Sequence, residues 1–149
     1  MLAREIAEDY PVVDADADVY EAAHAMAARR LPGIVVVDGE PRRPVAILPG
    51  TQVLRLLIPS YVQDDPTLAR VFDEADAAEL FDRLRGRTVR SLLPDGAREL
   101  PIVRGDDQLL EIAALMARMH SPLVVVTEEG EILGVVTTSR LLEILLPEA

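Results

Sequence analysis

The sequence predicts an α+β fold made of two copies of a β-α-β-β-α repeat. When residues 11–36 are aligned with residues 101–126, ten positions are identical. The chain of 149 residues is long enough to bury a core, and it is 50% hydrophobic but only 3% aromatic. A core built from Val, Leu, Ile, Ala and Met favours the packing of helices on small sheets.

The two halves show the same order of predicted elements. A Pro-Val-Val or Pro-Ile-Val strand comes first, and Asp16 or Asp106 then stands where a helix begins. Apolar residues at helical spacing follow until Pro32 or Pro122 ends the helix. Two strands and a short helix complete each half. These last elements are predicted at 34–37, 45–48 and 52–57 in the first half and at 123–126, 132–136 and 140–145 in the second.

We predict three parts: a first repeat over 1–58, a helical insert over 59–87 and a second repeat over 88–149. Neither repeat can cover both faces of its sheet alone, so we expect the two to pack about a pseudo-two-fold axis. In the insert, Asp65-Pro66 predicts a helix start and Gly86 a stop, with an apolar stripe from Leu68 to Leu84 between them. This helix either covers the module's own surface or contacts a second chain or partner.

Composition excludes several classes of partner. The net charge of −11 opposes binding to phosphate backbones, so nucleic acid is not expected. The absence of Cys removes disulfides, thiolate metal sites and a cysteine nucleophile. No apolar stretch approaches the roughly 20 residues that span a bilayer, and the first nine residues are too acidic for a signal peptide. We expect a cytoplasmic protein without membrane insertion.

The residues do not predict an enzyme or a metal site. Asp14, Asp16 and Asp18 alternate, but Val19 and Ala25 stand where a calcium loop needs Gly and Glu. An acidic helix start explains these carboxylates better. His24 and His120 lie in unrelated contexts, and no hydrolase, P-loop or dinucleotide motif occurs. No catalytic residue and no metal ligand is therefore predicted.

The stretch Leu133-Gly134-Val135-Val136-Thr137-Thr138-Ser139-Arg140-Leu141-Leu142 resembles the strand, turn and helix start of the cystathionine-β-synthase (CBS) domain. With the repeat, the chain is similar to a tandem CBS pair, or Bateman module. The resemblance implies a regulatory module that binds an adenosine-type ligand, such as AMP, ATP or S-adenosylmethionine, in the cleft between the repeats. It also implies a homodimer and a separate enzyme or transporter as the regulated partner.

The resemblance also implies ligand-binding residues. In the second repeat Gly134 would allow close approach of the ligand, Thr137 would offer a hydroxyl, and free amides opening the last helix would favour a phosphate. The family's motif then has an Asp that binds ribose, whereas this chain has Arg140, which suits a phosphate. The predicted site comprises Gly134, Thr137, Thr138, Ser139 and Arg140, with apolar walls from Ile102, Val103, Pro122 and Leu123.

The first repeat departs further from the family's motif. Ala46, Pro49 and Gln52 replace its Gly, Thr and Asp, and only Thr51 supplies a hydroxyl near the helix start. At most one good nucleotide cleft is therefore expected. Two alternatives stay open: Thr138 or Ser139 simply caps the last helix, or the pair is a degenerate dimerisation or docking scaffold that binds no nucleotide.

Overall fold

The computed structural model describes residues 1–93 and 100–148 and confirms the predicted α+β class. Each repeat contributes a three-stranded sheet and helices that cover one face of it. The strands are β1 (Val12–Asp14), β2 (Gly33–Asp38), β3 (Arg43–Pro49), β4 (Ile102–Arg104), β5 (Leu123–Glu128) and β6 (Glu131–Thr137). The α-helices are α1 (Ala3–Ile6), α2 (Val19–Arg29), α3 (Gly50–Leu57), α4 (Ser60–Asp64), α5 (Glu74–Asp82), α6 (Leu109–Met119) and α7 (Thr138–Leu145), and two 3-10 helices span Pro66–Val71 and Val89–Leu92.

The two sheets have the same strand order, β1-β2-β3 and β4-β5-β6. In the second sheet β4 runs parallel to β5, with Ile102 beside Val125. The strand β6 is antiparallel to β5, with Leu123 beside Thr137. The runs of β-branched residues form the central strands β2 and β5, which are almost fully buried.

Each repeat has its own aliphatic core. In the second repeat, Val124 and Val126 of β5 pack with Ile112 and Met116 of α6 and with Leu141 of α7. The first repeat uses the corresponding positions. They are Ile34, Val36, Ala22, Met26 and Val53. Because side chains alternate along a strand, it is Val124 and Val126 of β5 that face the helices.

The chain divides into two compact units, and neither is a continuous stretch of sequence. One comprises Met1–Pro11, Val37–Val45 and the described residues of 96–149. The other comprises Val12–Val36 and the described residues of 46–95. The residues that come before the first strand of each repeat therefore belong to the unit of the other repeat. We call residues 1–8 and 87–93 the leading segments.

Backbone hydrogen bonds attach each leading segment to the opposite repeat in the same way. The segment 87–93 makes bonds from Val19 N to Arg87 O (2.8 Å), from Val89 N to Ala17 O (2.9 Å) and from Arg90 N to Ala15 O (2.7 Å). The segment 1–8 makes bonds from Leu109 N to Met1 O (3.1 Å), from Ala3 N to Asp107 O (2.8 Å) and from Arg4 N to Gly105 O (2.9 Å). Ala3 and Ile6 are buried in the second core, and Val89 is buried in the first.

Ion pairs reinforce this attachment. Arg90 lies 2.9 Å from the Asp16 carboxylate, and Arg4 lies 2.8 Å from that of Glu128. All four side chains are well exposed, so each pair adds little stability on its own. The buried apolar residues and the backbone bonds carry most of the attachment.

The prediction of one continuous helix in the insert is wrong. Asp65 caps a helix start as expected, with its carboxylate accepting from the amide of Thr67. The chain then extends at Phe72, because Asp73 begins a new helix by exchanging hydrogen bonds of 3.0 and 2.9 Å with Asp76. Of the predicted apolar stripe only Leu84 is buried in the core. The stripe residues Val71 (80% exposed) and Phe81 (50% exposed) face solvent in this chain.

The alternating acids at the start of α2 have structural partners, as an acidic helix start predicts. Asp14 accepts from the amide of Asp16 at 2.9 Å. Asp18 is the N-cap of α2 and accepts from the amides of Gly86 and Tyr20, each at 2.8 Å. These two hydrogen bonds, that from Gly86 first, lower the pKa of the Asp18 carboxyl below its ordinary value of 3.8.

Asp18 should therefore contribute stability that depends on pH. Because its pKa is lower in the folded than in the unfolded chain, the contribution is complete above pH 3.8 and disappears as the pH falls through the folded-state pKa. Asp18→Asn removes one acceptor oxygen, so we expect a lower melting temperature at neutral pH and convergence with the unmodified protein in acid. Melting curves from about pH 7 to pH 2.5 would show this. Asp106→Asn, at an exposed carboxylate of the second repeat, is the control and should leave the curve unchanged.

Candidate functional site

The predicted site residues of the second repeat gather at one end of its sheet. Because Leu123 pairs with Thr137, the beginning of β5 lies beside the end of β6. The amide of Val125 donates to the Pro101 carbonyl at 2.8 Å, which brings the beginning of β4 to the same end. Helix α7 starts there directly after β6. We call the group formed by Pro122, Leu123 and residues 137–140 the β6–α7 site.

Thr51 lies in the other compact unit. It is exposed in the first turn of α3, a helix that corresponds to α7 in the first repeat. The carbonyl of Pro32 accepts from the Gly50 amide at 3.0 Å, just as the carbonyl of Pro122 accepts from the Thr138 amide at 3.0 Å. The two helix starts are thus built in the same way.

The chain itself uses several polar groups at the start of α7. Thr137 is the N-cap, and its hydroxyl oxygen accepts from the Arg140 amide at 3.2 Å. The amide and the hydroxyl of Thr138 both donate to the Pro122 carbonyl, at 3.0 and 3.1 Å. The hydroxyl oxygen of Ser139 lies 3.3 Å from that of Thr137. The expectation of free helix amides is therefore wrong for Thr138 and Arg140, and the cap is Thr137 rather than Thr138 or Ser139.

The four predicted apolar walls differ in exposure. Val103 is buried in the core of its repeat, and Leu123 is fully buried at the start of β5. Ile102 is half-buried, and Pro122 is exposed. Within this unit, Pro122 is therefore the only one of the four that offers a largely open apolar surface.

A contact within the chain requires glycine at position 134. A Cβ atom on this residue would lie 2.5 Å from the backbone oxygen of Glu8. Glu8 and Val135 exchange two backbone hydrogen bonds of 2.9 Å, which hold the N-terminal leading segment against β6. The close approach that glycine permits here is made by the chain's own backbone.

Arg140 is held loosely by two carboxylates. Its Nε lies 3.8 Å from Glu8 Oε1, and one terminal nitrogen lies 3.6 Å from Glu143 Oε1. Both distances exceed those of a hydrogen bond. The Nε atom is shielded from solvent and has no hydrogen-bond acceptor among the described residues, although the side chain as a whole is 31% exposed. A charged donor group is thus left with unused capacity at the β6–α7 site.

Gln52 occupies the position in the first repeat that Arg140 occupies in the second. Its Nε2 donates to the backbone oxygen of Leu92 at 2.7 Å. Leu92 belongs to one leading segment and Glu8 to the other. Both residues that replace the acid of the CBS motif therefore reach towards a leading segment. Sequence reasoning missed these contacts because residues 87–90 align with 1–4 at a different spacing from the rest of the repeat.

An apolar cleft of about 480 Å³ lies between α6 and α7. Buried Met116 and Leu141 contribute to its lining, together with the more exposed Leu142 and Leu145. His120 also lines it and is the C-cap of α6, in a left-handed conformation with φ 51°. His24 is exposed in the other unit and contacts the Tyr20 hydroxyl at 3.3 Å.

These features define a protein with two β-α-β-β-α repeats whose second helices begin beside the sheet ends. The family model of the CBS domain matches residues 3–58 and 96–147. The chain belongs to the CBS domain family and is a tandem CBS pair, as the resemblance predicts. The matched model describes a CBS domain rather than a catalytic domain.

Solved structures agree with this assignment. A CBS domain-containing protein of Kribbella flavida DSM 17836 is 52% identical, with coverage of 97% of this chain and 98% of that chain and a TM-score of 0.83. The CBS domain of a membrane protein of Sphaerobacter thermophilus is 24% identical, with 99% and 90% coverage and a TM-score of 0.74. A CBS domain protein of Pyrobaculum aerophilum is 23% identical, with 94% and 89% coverage and a TM-score of 0.64.

No curated protein matches the chain. Among the described residues, no helix combines the length and the apolar character needed to cross a bilayer.

The close packing at Gly134 predicts a clear effect of adding a methyl group. Gly134→Ala should lower the free energy of unfolding by roughly 1–3 kcal/mol, because the new Cβ must push away the Glu8 backbone. Urea unfolding would measure the loss. The control is Ala114→Gly in α6, an ordinary change within a helix that should cost about 1 kcal/mol. Gly130→Ala is unsuitable as a control, because φ at Gly130 is +82° and a side chain there would be strained by the backbone itself. Faster amide exchange at Val135 in Gly134→Ala, but not in Ala114→Gly, would assign the loss to this contact.

Proposed function

We propose that this CBS pair is a regulatory module that binds an adenosine-type nucleotide at the β6–α7 site and modulates a partner protein. The observation that carries the proposal is Arg140, a cation with an unsatisfied Nε donor beside the start of α7. Family membership supports the choice of ligand class, and the CBS domain protein of Pyrobaculum aerophilum was crystallised in complex with AMP.

The chemistry of Arg140 favours the phosphate of such a ligand. A guanidinium can donate two parallel hydrogen bonds to phosphate oxygens, and such charge-assisted bonds are stronger than neutral ones. It cannot accept hydrogen bonds from a ribose diol. The exposed hydroxyl of Ser139 and the open face of Pro122 are the neighbouring groups that a nucleotide would meet. Recognition in this chain should therefore depend on the phosphate more than on the sugar.

Charge limits the affinity. The chain carries a net charge of −11, and Glu8 and Glu143 both face Arg140. Each of these charges repels a nucleotide phosphate. The affinity for the nucleotide should therefore depend on the positive charge of Arg140 and should fall when Arg140 is replaced. A bound ligand regulates the partner only if it binds one state of the module more tightly than another.

A ligand panel tests this function. AMP, ATP and S-adenosylmethionine at millimolar concentration should include at least one that raises the melting temperature, since a ligand at 100 times its Kd stabilises a protein by about 2.7 kcal/mol. Arg140→Ala should reduce the shift strongly, because the remaining binding loses its charged donor. Arg55→Ala, which removes the same charge from an exposed position of α3, is the matched control and should retain it. No shift with any member of the panel, confirmed by calorimetric titration, would reject nucleotide binding.

A second candidate is a scaffold that dimerises without binding a nucleotide. The apolar cleft between α6 and α7, with exposed Leu142 and Leu145 in its lining, favours it because adjacent exposed leucines often mark a protein contact. The use of Gln52 to hold Leu92 also fits a repeat that has lost its ligand. In this case a second copy of the chain would cover the cleft.

Light scattering tests the scaffold, and the ligand panel separates it from the nucleotide-binding module. The scaffold predicts a dimer that Leu142→Glu converts to a monomer, because a carboxylate cannot be buried in an apolar contact without a partner. Leu110→Glu, at a residue of α6 that is 71% exposed and lies outside the cleft lining, should remain dimeric. A monomer at all concentrations for the unmodified protein contradicts the scaffold.

A further inference from the structure

We propose that Glu8 is a built-in competitor of the ligand: its carboxylate occupies Arg140 until the phosphate of a nucleotide takes its place. The inference rests on the proposed function, because it concerns the control of the same site. It makes the N-terminal leading segment part of the site, where Glu8 adds a second carboxylate to that of Glu143 on α7 itself.

The distance between Arg140 and Glu8 would allow a phosphate to replace the Glu8 carboxylate. At 3.8 Å the Glu8 oxygen neutralises part of the guanidinium charge but accepts no hydrogen bond from the Nε atom. A phosphate can both balance the charge and accept the unused hydrogen bond. Because the two anions repel each other and need the same guanidinium, binding of one disfavours binding of the other.

The backbone fixes Glu8 in this role. Its amide and carbonyl are both bonded to Val135, and its carbonyl rests against Gly134. The backbone hydrogen bonds of Glu8 therefore hold its carboxylate beside Arg140. The competition requires the side chain of Glu8 to rotate away from Arg140, a movement that leaves its backbone bonds to Val135 intact.

The first repeat supplies the contrast. Gln52 is neutral, and its donor is already used at 2.7 Å by the Leu92 carbonyl. The equivalent position there has neither a positive charge to attract a phosphate nor a carboxylate to be displaced. Competition of this kind, and the binding it controls, is therefore confined to the repeat that contains Arg140, with one nucleotide per chain.

Titration calorimetry with AMP tests the competition in a double-mutant cycle. Glu8→Gln keeps the size and the backbone of the residue but removes its charge, so we expect AMP affinity to rise roughly threefold to tenfold. Glu111→Gln removes the same charge from an exposed position on α6 and should change the affinity less than about twofold. In the Arg140→Ala background, where direct competition is impossible, Glu8→Gln should have no more effect than Glu111→Gln.

The outcomes separate this inference from the proposed function. If the unmodified protein binds AMP but Glu8→Gln binds it no more tightly than Glu111→Gln, competition by Glu8 is wrong and nucleotide binding stands. An equal gain from Glu8→Gln with and without Arg140 also overturns it, since the effect would then be one of general charge. If neither the unmodified protein nor Glu8→Gln binds any nucleotide of the panel, the proposed function itself fails.

Discussion

The exchange of leading segments is the constraint on which the rest of the structure depends. Each repeat contributes a sheet and two helices, but its compact unit is completed by residues that precede the other repeat in sequence. At least three backbone hydrogen bonds for each segment and a small set of buried side chains, including Ile6 and Val89, make the attachment. Backbone pairing of this kind satisfies polar groups that would otherwise be buried without partners, so its loss would affect a whole unit rather than one contact.

This constraint also determines the chemistry of the β6–α7 site. The segment that completes the second repeat brings Glu8 to Arg140, and the segment that completes the first brings the Leu92 carbonyl to Gln52. Arg140 and Gln52 stand where the family's motif has a ribose-binding acid. In both repeats the residue at this position contacts a leading segment of the same chain. The two residues differ in charge and in bonding: Arg140 is a cation whose Nε donor is unsatisfied, whereas neutral Gln52 donates to the Leu92 carbonyl.

Local patterns in the sequence were sufficient to predict the repeat, the order of strands and helices, and the cap at Asp65, because these depend on residues close together in the chain. The family's motif also predicted that Thr137 and Arg140 lie where the last strand ends and the last helix begins. The break at Asp73 was missed because apolar spacing continued across it, although its capping exchange with Asp76 was visible in the residues. The contacts of Glu8 with Gly134 and Arg140 leave no local pattern, since they join residues more than a hundred positions apart.

The crossed attachment of residues 1–8 and 87–93 bears on how such a protein arises and assembles. A solitary repeat would have to borrow its leading segment from another molecule, so its formation would depend on concentration, as in domain-swapped oligomers. Fusion of two repeats in one gene turns that exchange into an intramolecular event with a high effective concentration. With both repeats in one chain, completion of each unit does not depend on meeting another molecule.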